Sequence, residues 1–183
     1  MQSNISFTAK FISTATVRKF VNNGNYIPAE ANVVELYTKN KNDLKTLQEI
    51  KELWRKPNYA GAICEDAFSA NATYEEYRPS FYAITTQKDR FEKLQPEDVL
   101  GLAETRTTFG AIKSLDFLQT NPEFLKKIKP AIKGIGTQML AFVEKINKGR
   151  RIEANAVSGT EPFYSQNGYR RLSEDSHIFY KDV

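Results

Sequence analysis

Cysteine and histidine each occur once in this 183-residue chain, as Cys64 and His177. A single cysteine excludes an intramolecular disulfide and makes a reducing compartment the default. With one histidine beside it, the usual zinc ligands are missing and Cys/His catalysis has little to work with, so no metal is expected. No apolar run approaches the roughly 20 residues of a membrane span. The start, Met1-Gln2-Ser3-Asn4, lacks the basic and apolar regions of a secretory signal; the expected compartment is therefore the cytoplasm, with no membrane partner. Neither sign of charge dominates: 26 Lys and Arg face 22 Asp and Glu, a net charge of +4. That balance suits an anionic ligand without demanding one. The basic residues are spread out, with a mild cluster at Lys126, Lys127, Lys129 and Lys133, whereas a nucleic-acid reader concentrates them on one face. Nucleic acid is not an expected partner.

What remains is a globular composition, 40% hydrophobic and 12% aromatic. No repeat or low-complexity linker divides residues 1–183, which read as one domain. Ile5–Phe11 alternates like a strand and can run on toward Phe20; residues 21–25 carry turn chemistry, and Asn32–Thr38 is a second strand paired with the first. Asn42 or Asp43 is placed to cap a helix bearing Leu44, Leu47, Ile50, Leu53 and Trp54, stopped at Pro57-Asn58. Ala60–Ala70 is compatible with a second helix in which Cys64 is a small buried hydrophobe rather than a nucleophile. Glu65, Asp66, Glu75 and Glu76 make this neighbourhood acidic, either a solvated surface or a mouth for a cationic acceptor. Strands follow at Ser80–Thr85, Val99–Arg106 and Ile112–Thr120. After the Gly134–Gly149 helix come a strand at Arg151–Val157, a short helix at Glu161–Asn167, and a hairpin of Tyr169–Leu172 with Ser176–Lys181. The class is α+β: a mixed, mostly antiparallel central sheet with helices on its faces.

The segment Ile132-Lys133-Gly134-Ile135-Gly136-Thr137 opens an amphipathic helix whose stripe is Met139, Leu140, Val143 and Ile146. Two glycines at a helix start let the backbone approach a ligand, and the N–H groups there lack intrahelical partners. With Lys133 beside it, such an end suits a phosphate. A dinucleotide fingerprint would need a third glycine near Met139, and a Walker loop would need Gly-Lys rather than Lys133-Gly134. The cradle is of another kind.

A second motif is Pro162-Phe163-Tyr164-Ser165-Gln166-Asn167-Gly168-Tyr169. It resembles the Phe-Tyr-x-x-x-Gly-Phe/Tyr signature near the C-terminus of the GNAT superfamily of N-acetyltransferases. A Gly-x-Gly helix start precedes it by one helix and one strand, as in that family. Leu118-Gln119-Thr120-Asn121-Pro122 is similar to the strand end before the family's coenzyme loop. The match covers residues 81–181, with residues 1–30 an N-terminal strand or hairpin extension. It departs where Ala131 stands in place of the family's Arg or Gln, where the 123–131 connection is long, and where Ser158 lies near the position of a common Asn.

The resemblance implies a GNAT-like acyl-CoA N-acyltransferase fold, with one parallel strand pair splayed around the coenzyme's pantetheine arm. Acetyl-CoA would be the acyl donor. Its pyrophosphate would meet the N–H groups of Lys133, Gly134, Ile135, Gly136 and Thr137, and its arm the backbone of Leu118, Gln119 and Thr120, with Ser158 nearby. The reaction implied is acetyl transfer to a primary amine, on a small molecule or on a protein lysine or N-terminus, by direct attack. Tyr164 would be the general acid toward the leaving thiolate. Glu104 is a candidate base, or else a structural partner of Arg106 or a lysine. The alternative class is an acyl-CoA-binding or interaction module without turnover. Monomer and homodimer both remain open.

Overall fold

The computed structural model describes residues 8–22, 24–54, 59–70, 79–108, 112–125 and 128–183. Among the described residues, nine strands form a sheet of order β6-β1-β2-β3-β4-β5-β7-β9-β8. They are β1 (Lys10–Phe20), β2 (Tyr26–Leu36), β3 (Pro79–Thr85), β4 (Val99–Thr108), β5 (Ile112–Thr120), β6 (Ile132–Lys133), β7 (Arg151–Asn155), β8 (Arg170–Arg171) and β9 (Ile178–Asp182). Helices α1 (Lys41–Leu53) and α2 (Ala60–Ser69) bury Leu47, Ile50, Trp54, Ile63 and Cys64 with Leu102 of β4. Helix α3 (Ile135–Ile146) buries Met139, Leu140 and Val143 in a second core that also holds Tyr164 of α4 (Glu161–Gln166). β4 is clad on both sides, as its run Val99–Ala103 requires: both Leu100 and Leu102 are buried, each in a different core.

Several boundaries differ from the sequence reading. The first strand begins at Lys10 among the described residues, Ile5–Phe7 lying outside them, and it does extend to Phe20. The helix cap is Asn40, whose side chain accepts from the N–H groups of Asn42 and Asp43. Asp43 instead turns inward to accept from Tyr37 N–H at 2.9 Å. Burial raises its carboxyl to about 6. The strand β6 has no periodicity in its two residues and exists because Lys133 and Ile132 pair with Arg18 and Lys19 of β1. Pro57-Asn58, Glu75, Glu76, Phe109-Gly110, Lys126 and Lys127 lie outside the described residues. Among the described residues, no helix is long and apolar enough to cross a membrane.

Two features of the sheet create the site. At Gly101 an added Cβ would come within 2.9 Å of Ile135 Cγ2 and 3.2 Å of the Gln119 carbonyl, so a bare backbone on β4 lets the first residue of α3 settle there. The other is a bulge in β5. Glu104 pairs with Phe117 and Thr105 with Leu115, which leaves Asp116 as the extra residue. Beyond it β5 stays with β4 as far as Gly101↔Thr120, but its parallel pairing with β7 ends at Leu115↔Ala154. The two strands part there.

Candidate active site

The gap opens into a cavity of about 960 Å³. One wall is β5 from Asp116 to Thr120, whose edge toward β7 has no partner strand among the described residues; the other is the chain from Asn155 to Thr160 and helix α4. The end of the cavity beyond Thr120 is closed by Lys133 and the start of α3. Gly134 caps that helix in the left-handed region, φ +82°, with no side-chain cap hydrogen bond. The first intrahelical bond comes from Gln138 N–H to the Gly134 carbonyl at 2.9 Å. The N–H groups of Ile135, Gly136 and Thr137 thus precede the helical ladder, and all three residues line the cavity. Lys133 lines it too, its ammonium 4.3 Å from the centre of the Tyr26 ring.

The two glycines of this segment do different work. A Cβ on Gly134 would meet nothing within 4 Å, and only its backbone conformation calls for glycine. A Cβ on Gly136 would stand 3.1 Å from the Phe163 ring and 3.7 Å from Thr120 Oγ1. Gly136 therefore lets α4 close against α3 across the cavity.

Leu118, Gln119, Thr120, Lys133, Gly134, Ile135, Gly136, Thr137, Ser158 and Tyr164, named from the sequence, all line the cavity. Gln119 is buried; it accepts from Tyr59 N–H at 3.1 Å and donates to the Thr120 carbonyl at 2.6 Å, tying the start of α2 to β5. Phe163 and Tyr164, neighbours on the six-residue helix α4, both border the cavity. Tyr164 stacks on Phe179 with centroids 5.7 Å apart and meets Phe163 and Tyr169 edge-on. Desolvation in this aromatic nest pushes its phenol up to about 12.

Glu104 is not a lining residue. It is fully buried in β4, two residues from Leu102, with Oε1 3.2 Å from Arg106 Nη2 and Oε2 without a hydrogen-bond partner among the described residues. Arg106 also meets Asp66 of α2 at 3.7 Å and the bulged Asp116 at 3.0 Å. Burial first, and then the charge of Asp66, raise the Glu104 carboxyl to about 8 against the pull of Arg106. Glu104 reaches the cavity only by way of this cluster, through Asp116.

Sequence reasoning missed Asp116, Tyr59, Phe117 and His177, which also line the cavity. Nothing in a one-residue bulge is visible as periodicity. His177 was set aside because it is the lone histidine; its Nδ1 lies 3.9 Å from Glu161 Oε1.

No family model matches this sequence, and no curated protein matches it. Solved structures do. An acetyltransferase of the GNAT family from Staphylococcus aureus Mu50 superposes with a TM-score of 0.53 at 14% identity, covering 83% of this chain and 98% of that one. A protein from Desulfovibrio desulfuricans assigned to the same family gives 0.51 at 15% identity, with 93% and 99% covered. A tandem GNAT protein from the clavulanic acid biosynthesis pathway, in a structure without AcCoA, gives 0.53 at 15% identity, with 79% of this chain and 45% of that chain covered. Likeness at such identities is likeness of fold. The chain has the α+β fold of the GNAT acetyltransferases, helices on both faces of a mostly antiparallel sheet.

Proposed function

We propose that the chain, acting as one domain, is an acetyl-CoA-dependent N-acetyltransferase of the cytoplasm that moves an acetyl group to a primary amine by direct attack. The observation that carries the reading is the continuity of the cavity. A helix start with no side-chain cap and Lys133 lie at one end, and from there a strand edge unpaired among the described residues leads back to the fork between β5 and β7. A diphosphate ester suits the first, since its oxygens accept from backbone N–H groups. An amide-bearing chain suits the second, since it can pair with β5 as an added strand. A thioester on that chain would then lie between Phe117, Leu118 and Tyr164. There a neutral amine can attack the carbonyl while Tyr164 O–H faces the departing sulfur.

The second reading, a binding module without turnover, is favoured by one feature. Glu104, the candidate base, is buried away from the cavity. Calorimetry with acetyl-CoA followed by thiol release over a panel of amines separates the two. Transferase action requires both binding and release; binding with no release on any small amine, peptide or protein supports the module. Absence of acetyl-CoA binding sinks both.

The glycines allow a sharper check. Gly136→Val is expected to weaken acetyl-CoA binding at least about tenfold by driving Phe163 toward the ligand's path. Gly134→Ala faces open space and is expected to cost about 1 kcal/mol of stability from its backbone conformation, with a smaller effect on binding. Titration calorimetry and urea unfolding on both variants decide it. Equal effects on binding would show the cradle to be wrongly assigned.

A further inference from the structure

Gln119 stands where two parts of the cavity wall meet. Residues on an antiparallel strand turn their N–H and C=O groups to alternate sides. Past the end of β5, Asn121 N–H bonds to the Leu100 carbonyl of β4 at 2.8 Å, and the Gln119 carbonyl stands 3.2 Å from the place of a Cβ on Gly101, so both residues turn to β4. Leu118 and Thr120 therefore turn theirs the other way, to the edge that borders the cavity. On that edge the Thr120 carbonyl is already engaged: Gln119 Nε2 donates to it at 2.6 Å. The other end of the same amide, Oε1, accepts from Tyr59 N–H at 3.1 Å. A backbone N–H can only donate and a carbonyl only accept, so the two bonds fix the amide in one orientation. The side chain is 8% exposed, and a bond lost at either end is not readily made good by bulk water. Tyr59 in turn begins α2, its carbonyl accepting from Ile63 N–H at 2.9 Å, and its ring lies against Phe117 with centroids 5.3 Å apart.

We propose that Gln119 is a positioning residue that couples the open edge of β5 to the start of α2. A chain added to that edge needs the Thr120 carbonyl for its own amide N–H. Its arrival takes the carbonyl from Gln119 Nε2, and the side chain, now fixed at one end only, loosens its hold on Tyr59. The part of the wall formed by Tyr59 and α2 is thus released when the edge is filled. The proposal rests on the transferase reading, which supplies the added chain as the amide-bearing arm of the acyl donor. An anion seated at the start of α3 without such an arm leaves the Thr120 carbonyl to Gln119 and does not work the link.

The test uses the full chain and two probes, acetyl-CoA and adenosine 3′,5′-bisphosphate, which share a phosphorylated nucleotide and differ in the amide-bearing arm. Hydrogen exchange of the Tyr59 amide and the side-chain NH₂ signals of Gln119 are followed by NMR. Saturating acetyl-CoA is expected to speed Tyr59 exchange about tenfold and to shift the Gln119 signals, while the bisphosphate changes neither. Gln119→Met keeps the length of the side chain and removes both bonds. In that variant Tyr59 exchange should be fast from the outset and insensitive to acetyl-CoA, which should bind about fivefold more tightly because it has no bond to displace. In the parent protein, bound acetyl-CoA that leaves Tyr59 silent, or an equal response to both probes, overturns the proposal whether or not the variant folds. A Tyr59 response that survives in Gln119→Met marks a direct contact and overturns it too, as does weaker binding by the variant. Seating of acetyl-CoA is read separately at Ile135, Gly136 and Thr137. Its failure to bind sinks the transferase reading and the link together, whereas binding with a silent Tyr59 sinks the link alone.

Discussion

Tyr164→Phe is expected to lower turnover about a hundredfold while leaving acetyl-CoA affinity nearly unchanged. The ring of Tyr164 is held by Phe163, Tyr169 and Phe179, so phenylalanine keeps the packing and removes only the hydroxyl. A thiol of ordinary pKa near 8.5 leaves as its thiolate, and a phenol is the donor able to meet it. A hydrogen bond to a charged group is worth about 1.5–3 kcal/mol, and a hundredfold in rate is about 2.7 kcal/mol, so the expected loss matches one such bond. With its pKa pushed up to about 12, the phenol keeps its proton across the neutral range. The ratio of parent to variant turnover should then be flat from about pH 6 to 9. Single-turnover measurements, with chemistry shown to be the slow step, check both points. Equal rates would leave Tyr164 as a packing residue.

Glu104→Gln should make stability less dependent on pH. In the folded chain this carboxyl titrates at about 8, against an ordinary value of 4.5. The folded state therefore holds the proton more tightly than the unfolded chain. The stability it contributes is fully present below about pH 4.5 and is lost as pH rises through about 8. At pH 9 the parent chain carries a buried charge that glutamine avoids, so the variant should be the more stable by an amount on the order of a few kcal/mol. At pH 5 the two should be close. Asp43, raised to about 6, acts in the same direction in both proteins and cancels from the difference. Urea unfolding of parent and variant at pH 5, 7 and 9 measures it; parallel curves would mean that the carboxyl is not held neutral by its surroundings. The same variant tests Glu104 as a base. If it serves as one, the alkaline rise in the parent's rate should disappear. An overlaid pH–rate profile leaves Glu104 as a structural partner of Arg106.

The strands and helices were legible because their patterns are local. Val99–Ala103 reads as a central strand because every residue must be buried, and Met139, Leu140 and Val143 read as a helix stripe because each is one turn or less from the next. Asn40 was passed over as a cap in favour of Asn42 or Asp43, since all three are capping residues and only the contact with Tyr37 draws Asp43 inward. The two-residue β6 could not be read at all, because its partner Arg18-Lys19 is more than a hundred residues away.

For the site, the sequence by itself marked the helix-start end proposed for an anion, since glycines at a helix start and a neighbouring lysine are adjacent in the chain. It also marked Leu118–Thr120 and Tyr164 through the order and spacing of their motifs. The opposite end was decided by tertiary structure alone. Tyr59, Arg106 and Asp116 are apart in the chain and meet only where β4, β5 and the start of α2 converge. The bulge that turns Asp116 out of the ladder depends on the register of β5 against β4, which no single segment carries. The state of Glu104 follows from the same convergence. Whether a glutamate on a strand is a base, an ion-pair partner or a buried acid depends on how much water and how much charge the fold leaves around it, and both are set by residues far away in sequence.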